Sequence, residues 1–124
     1  MRYIIKDKKI KDTTTNLTVA KLPNNMYYSD NYIMHNRKEN KYYLASVLYL
    51  FNKTDEEITE EIELVYNESL YCLVEVYLLP SMQFIGFVGP IKYTDLRISK
   101  NTIINYRNNI AYIPTVNGFV RQQI

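Results

Sequence analysis

The stretch from Asp95 to Asn109, "DLRISKNTIINYRNN", decides how this chain is read. Ser99 stands ahead of Ile103 and Tyr106, which recur at near-helical spacing. Ile98 before the serine and Ile103 after it make the two halves of a hydrophobic staple, so a capped helix from Lys100 to about Ile110 is predicted. Asparagine opposes this, because it is a poor helix former and the segment carries four of them. The stretch is a helix with one polar face or a polar hairpin, and the flanking sequence bears on which.

Working outward, the C-terminal side "IAYIPTVNGFVRQQI" places Asn117-Gly118, a strong short-hairpin signal, between two β-rich arms. On the N-terminal side, Gly89 is suited to an N-cap and Pro90 to a first helical position, so "PIKYTDL" reads as a short helix. A tight turn at Arg97 and Ile98 then separates it from the segment after Ser99. "MQFIGFVGP" reads as a strand. In "ESLYCLVEVYLLP", Leu70, Leu73, Val74, Tyr77 and Leu78 keep a helical stripe stopped by Pro80, with a strand as the competing reading from its Val and Tyr content. "TDEEITEEIELVYN" reads as a helix: Thr54 and Glu57 form a capping box, Asp55, Glu56 and Glu57 sit at the positive end of the dipole, and Ile58, Ile62 and Val65 share one face. Further back, "KYYLASVLYLFN" is apolar on every side and fits a buried helix or a central strand. "RYIIK" and "NLTVAKL" suggest two strands joined by a polar loop.

At 124 residues and net charge +2 the chain suffices for one compact core with an extension. Its charge is segregated. Residues 1–53 hold ten basic and four acidic side chains, residues 54–90 eight acidic and no basic ones, and residues 91–124 five basic and one acidic. A polyanion is therefore expected near the two ends of the chain and not near the middle block. Cys72 and His35 are the only residues of their kinds, which excludes an internal disulfide and a Cys/His zinc site within one chain. No metal and no cofactor is expected. No apolar run approaches ~18 residues and the start is too polar for a signal peptide, so a cytoplasmic protein with no membrane association is expected. Thirteen tyrosines and thirteen asparagines fit an AT-rich gene.

From Glu68 onward the predicted order is helix, strand, short helix, tight turn, capped helix, strand, hairpin, strand. That order, with Leu96, Ile98, Ser99, Thr102, Ile103 and Tyr106 in the spacing that packs one helix on the next, resembles the winged helix-turn-helix family over the last ~57 residues. Arg97 and Tyr93 depart from the family, which usually has glycine in the turn and a small residue at the helix crossing. The resemblance implies an α+β fold: a β-rich, Tyr-rich extension over residues 1–53, then an acidic helix and a winged-helix-like module over residues 54–124. It also implies a recognition helix. Asn101, Asn105 and Asn108, with Ile104 beside them, would then read base edges of an AT-rich duplex, while Lys100, Arg107 and Arg121 hold phosphates. A duplex-binding module of this size is expected to form a homodimer, with Tyr42, Tyr43, Leu44 and Leu48 as candidates for the contact.

No phosphate-cradling glycine loop and no nucleophile-histidine-acid set is present, so the chain is expected to be a non-enzyme. A DNA-binding regulator or accessory protein is the leading expectation. Two alternatives stand beside it: a small inhibitor or adaptor of the phage or plasmid type that binds a host protein through Glu60, Glu61 and Glu63, and a protein that binds a small nucleotide on a β-rich N-terminal half. Tyr42 and Tyr43, like Tyr27, Tyr28 and Tyr32, lie among basic residues, where stacking on bases or contact with a protein partner are both open.

Overall fold

The structure, a computed structural model, describes residues 1–23, 29–50 and 70–124. These residues build strands β1 (Tyr3–Lys6), β2 (Lys9–Asp12), β3 (Leu17–Lys21), β4 (Ser29–Asn36), β5 (Lys41–Leu50), β6 (Tyr71–Leu78), β7 (Gln83–Lys92), β8 (Leu96–Ile98), β9 (Ile103–Asn105), β10 (Ile110–Thr115) and β11 (Gly118–Gln123). They form three antiparallel sheets in the orders β1-β2-β3, β4-β5-β6-β7 and β11-β10-β9-β8. The second sheet draws β4 and β5 from before residue 53 and β6 and β7 from after it, and β5 pairs with β6 from Tyr43↔Leu78 to Leu50↔Tyr71.

Strand β5 explains the layering. Successive side chains of a strand point to opposite faces. Tyr43, Ala45 and Val47 point one way and join Met34, Cys72, Val74, Val76, Val88, Ile91 and Ile103 in one buried cluster, against which Leu96, Ile98, Tyr112 and Phe119 of the third sheet pack. Leu44 points the other way and joins Tyr3, Ile10 and Leu79, with Tyr42, Ile33 and Tyr77 packed alongside. The middle sheet is covered on both faces, which is why "KYYLASVLYL" is apolar without alternation. It is the central strand of the two readings the sequence allowed.

The expected α+β fold and the resemblance to the winged helix-turn-helix family are both overturned. The described residues are all-β, with no helix of seven or more residues, so no helix-turn-helix is present. The short helix expected in "PIKYTDL" is reduced to a single 3₁₀ turn at Tyr93–Asp95, and Pro90 lies inside β7 after a cis peptide bond. Gly89 is needed there for a reason other than capping: its φ is +123°, and a Cβ on it would lie 2.8 Å from the Cys72 carbonyl oxygen. The helix expected from Leu70 to Leu79 is strand β6, where burial of Cys72, Val74 and Val76 alternates with half-exposed neighbours in a period of two. The acidic helix expected over residues 54–66 lies outside the described residues.

The opening stretch is a pair of polar hairpins. Ser99 Oγ accepts the Thr102 N–H at 3.1 Å, the same i to i+3 bond that an N-cap makes, but the Ser99 N–H also donates to the Thr102 carbonyl at 2.9 Å and closes a turn between β8 and β9. Ile98 and Ile103, read as a staple, are instead cross-strand partners in that hairpin. Local chemistry satisfied both readings; burial of Ile103 under the middle sheet selects the strand.

Two stability predictions follow from this packing. Ile103→Ala should lower the unfolding free energy by roughly 2–5 kcal/mol, whereas Asn108→Ala on an exposed turn should change it by about 0.5 kcal/mol or less, both read from denaturant midpoints. Asp12, buried at the end of β2, accepts the Thr14 N–H at 2.9 Å on Oδ1 and the Arg2 guanidinium at 3.3 Å on Oδ2. The backbone bond first, then the arginine, hold its carboxyl below the usual range. A carboxyl that ionises more readily folded than unfolded stabilises the fold above the unfolded pKa, and that contribution is lost as pH falls below about 4. Asp12→Asn should therefore flatten the acid limb of stability against pH, measured by unfolding midpoints from neutral pH downward.

Candidate functional site

Three hairpin turns meet at one end of the sandwich. They are the β4–β5 turn (Arg37–Asn40), the β8–β9 turn (Lys100 and Asn101) and the β10–β11 turn (Val116 and Asn117). Polar ties between the middle and third sheets hold them there. The His35 N–H donates to the Lys100 carbonyl at 2.8 Å, the Asn36 side-chain amide donates to the Pro114 carbonyl at 2.9 Å, and the Val116 N–H donates to Glu39 Oε2 at 3.1 Å. The second Glu39 oxygen accepts the Tyr43 hydroxyl at 2.5 Å. Burial, and then this carboxylate, push the Tyr43 hydroxyl pKa well above its ordinary range, so it serves as a donor at neutral pH.

Beside these ties lies a cleft of about 540 Å³ lined by Met1, His35, Arg37, Tyr42, Lys100 and Asn101. Its volume is within the span of small-ligand sites. Arg37 comes from the middle sheet's turn and Lys100 from the third sheet's turn, and no carboxylate is among the described lining residues. Glu39, in the same turn as Arg37, is engaged by Tyr43 and Val116. The His35 and Tyr42 rings lie stacked, 4.2 Å between centroids and 10° between planes. Tyr3 packs edge-on against Tyr42 at 5.3 Å and 76°, and Arg2 lies over Tyr3 at 5.4 Å. His35 Nε2 is 3.3 Å from Asn40 Oδ1, which fixes the imidazole plane.

Of the residues predicted to contact DNA, the structure brings Lys100 and Asn101 into this cleft and disperses the others. Ile104 and Asn105 belong to β9. Arg107 and Asn108 occupy the β9–β10 turn, at the opposite end of β9 from Asn101. Arg121 lies on β11, its guanidinium 5.6 Å from the Tyr112 ring centroid. The single face expected for Asn101, Asn105 and Asn108 does not form. Glu60, Glu61 and Glu63 lie outside the described residues.

His35, Arg37 and Tyr42 were not singled out as one site by sequence reasoning, and a signal for their turn existed. "NRKEN" (Asn36–Asn40) and "NYRNN" (Asn105–Asn109) are the same device: the first Asn accepts a backbone N–H inside the turn (Glu39 N at 3.2 Å, Arg107 N at 3.1 Å), and the last has positive φ (53° and 56°). Asparagines four positions apart thus mark a four-residue hairpin loop in both places.

A second cleft of about 380 Å³ is lined by Asp30, Tyr32, Val47, Tyr49, Tyr93, Thr94, Leu96 and Ile98. It holds a carboxylate, which accepts the Tyr49 hydroxyl, and no cation among the described lining residues. Cys72 is buried in the core, and burial followed by the Asp30 charge pushes its thiol up to about 11, so it is no nucleophile at neutral pH. Among the described residues no group of three or more His, Cys, Asp or Glu side chains could hold a metal ion, and no helix is long and apolar enough to cross a membrane.

Comparison of the chain with protein-family models, with curated proteins and with solved structures gave no match.

Proposed function

We propose that the protein is a non-enzymatic binding module that holds a phosphate-bearing ligand of the nucleotide class between Arg37 and Lys100. One observation carries this reading: cations from two different sheets converge on one concave cleft whose described lining contains no carboxylate. Arginine presents a planar fork to phosphate oxygens and lysine a mobile point charge, a combination that binds a phosphate without reading a sequence. Further positive charge lies close by in sequence, at exposed Lys38 in the same turn and exposed Lys41 at the start of β5. A cleft of this size seats a nucleotide or one segment of a single strand rather than the face of a duplex, so the expected target shifts from double-stranded DNA to nucleotide phosphates.

The test is a titration of the intact protein with inorganic pyrophosphate and with a labelled single-stranded oligonucleotide at several salt concentrations. Binding should weaken as salt rises. Arg37→Glu and Lys100→Glu should each weaken it by at least about tenfold and reduce the slope of log affinity against log salt by roughly one unit. Lys92→Glu, at the far end of β7, should leave affinity and slope unchanged. Absence of binding by the wild-type protein to both probes in low salt, or equal losses in all three variants, would overturn the proposal.

A further inference from the structure

We infer that the stacked His35 and Tyr42 rings are a base platform, so that the cleft takes a nucleotide, its base against the rings and its phosphate between Arg37 and Lys100. The inference rests on the phosphate-binding reading above and adds the chemistry that separates a nucleotide from a bare phosphate.

Both rings line the cleft together with the two cations. Their parallel arrangement is set within the protein: Tyr3 packs edge-on against Tyr42, and Asn40 Oδ1 lies 3.3 Å from His35 Nε2. A base arriving on such a surface meets rings already ordered, and little side-chain entropy is lost on binding. Stacking is tolerant of base identity because every base has a π-face, so the platform selects for a base without selecting which one. The backbone positions that carry platform and charge are also tied together. The His35 N–H bonds the Lys100 carbonyl at 2.8 Å, and Arg37 follows His35 by two residues, so base and phosphate subsites are built on one short run of β4 and the turn bonded to it. Asn101 also lines the cleft, its Oδ1 accepting from Ser99 Oγ at 3.2 Å, and gives the site a further polar group.

Calorimetric titration of the full chain with adenosine 5′-monophosphate, ribose 5-phosphate and inorganic pyrophosphate tests this directly. The monophosphate should bind about tenfold tighter than ribose 5-phosphate, the gain expected of one stacked base. His35→Leu should abolish that difference while leaving ribose 5-phosphate affinity as it was, and His35→Phe, which restores a flat ring, should recover it. Because the bond to Lys100 is made by the His35 backbone, neither variant removes the tie between the sheets, and unfolding midpoints of both should stay close to that of the wild type. A short single-stranded oligoadenylate that competes with the monophosphate, and binds more tightly than it, would identify a strand as the source of the nucleotide; tighter binding of the monophosphate would identify the free nucleotide. Equal affinity for the monophosphate and ribose 5-phosphate, or a preference that survives His35→Leu, would overturn the base platform and leave the phosphate site standing. Failure of all three small probes and the oligoadenylate to bind would remove the phosphate site itself.

Discussion

A strand that is apolar on both faces has to be covered on both faces. β5 sets that requirement here, with Tyr43, Ala45 and Val47 on one side and Leu44 on the other, all but excluded from solvent. Burial on this scale is worth roughly 1.5–3 kcal/mol for each large side chain, more than local propensity contributes over a comparable stretch. One sheet cannot shield two faces, so the chain supplies two further sheets, one from residues before β4 and one from residues after β7. The consequence reaches the segment after Ser99: with the middle sheet demanding an apolar cover, Ile103 is drawn under it as a strand residue.

Stacked sheets leave their hairpin turns at the ends of the layers, and the polar residues of the chain collect there. Arg37 and Lys100 are 63 positions apart in sequence (100 − 37). They line one cleft because His35 ties β4 to the turn after β8, while Asn36 and Glu39 tie the same hairpin to β10 and the turn after it. Glu39 is not among the lining residues, and its two oxygens are engaged by the Tyr43 hydroxyl and the Val116 N–H. The basic character of both ends of the chain, visible in composition, thereby becomes a local property of one surface.

Legibility divided along physical lines. The strands in "RYIIK" and "MQFIGFVGP" and the hairpin around Asn117 and Gly118 were readable, because short β-branched or apolar runs and Asn-Gly turn chemistry point to strands and a hairpin, whereas the doubly apolar run of β5 left a buried helix and a central strand both open. Ser99 and the Ile98–Ile103 pair misled because an i to i+3 side-chain bond and an apolar pair flanking it serve a helix start and a tight hairpin equally well. The stripe in β6 misled because Leu70, Leu73, Val74, Tyr77 and Leu78 match a helical period while the same stretch, with Cys72, Val74 and Val76 inside, matches a strand that is half covered on its other face. Of the candidate site, Lys100 and Asn101 were read from sequence, in the wrong kind of element. His35, Arg37 and Tyr42 share the β4–β5 hairpin, whose turn the sequence marks, but their approach to Lys100 depends on a contact between elements distant in the chain, for which no local spacing exists.

The bond from the His35 N–H to the Lys100 carbonyl joins edge strand β4 to the turn that follows edge strand β8, in a different layer. A ligand held by Arg37 and Lys100 spans the same seam, so occupancy of the cleft and adhesion of the layers are thermodynamically linked. Each favours the other through mass action, and a filled cleft acts as a removable rivet between two halves of the core.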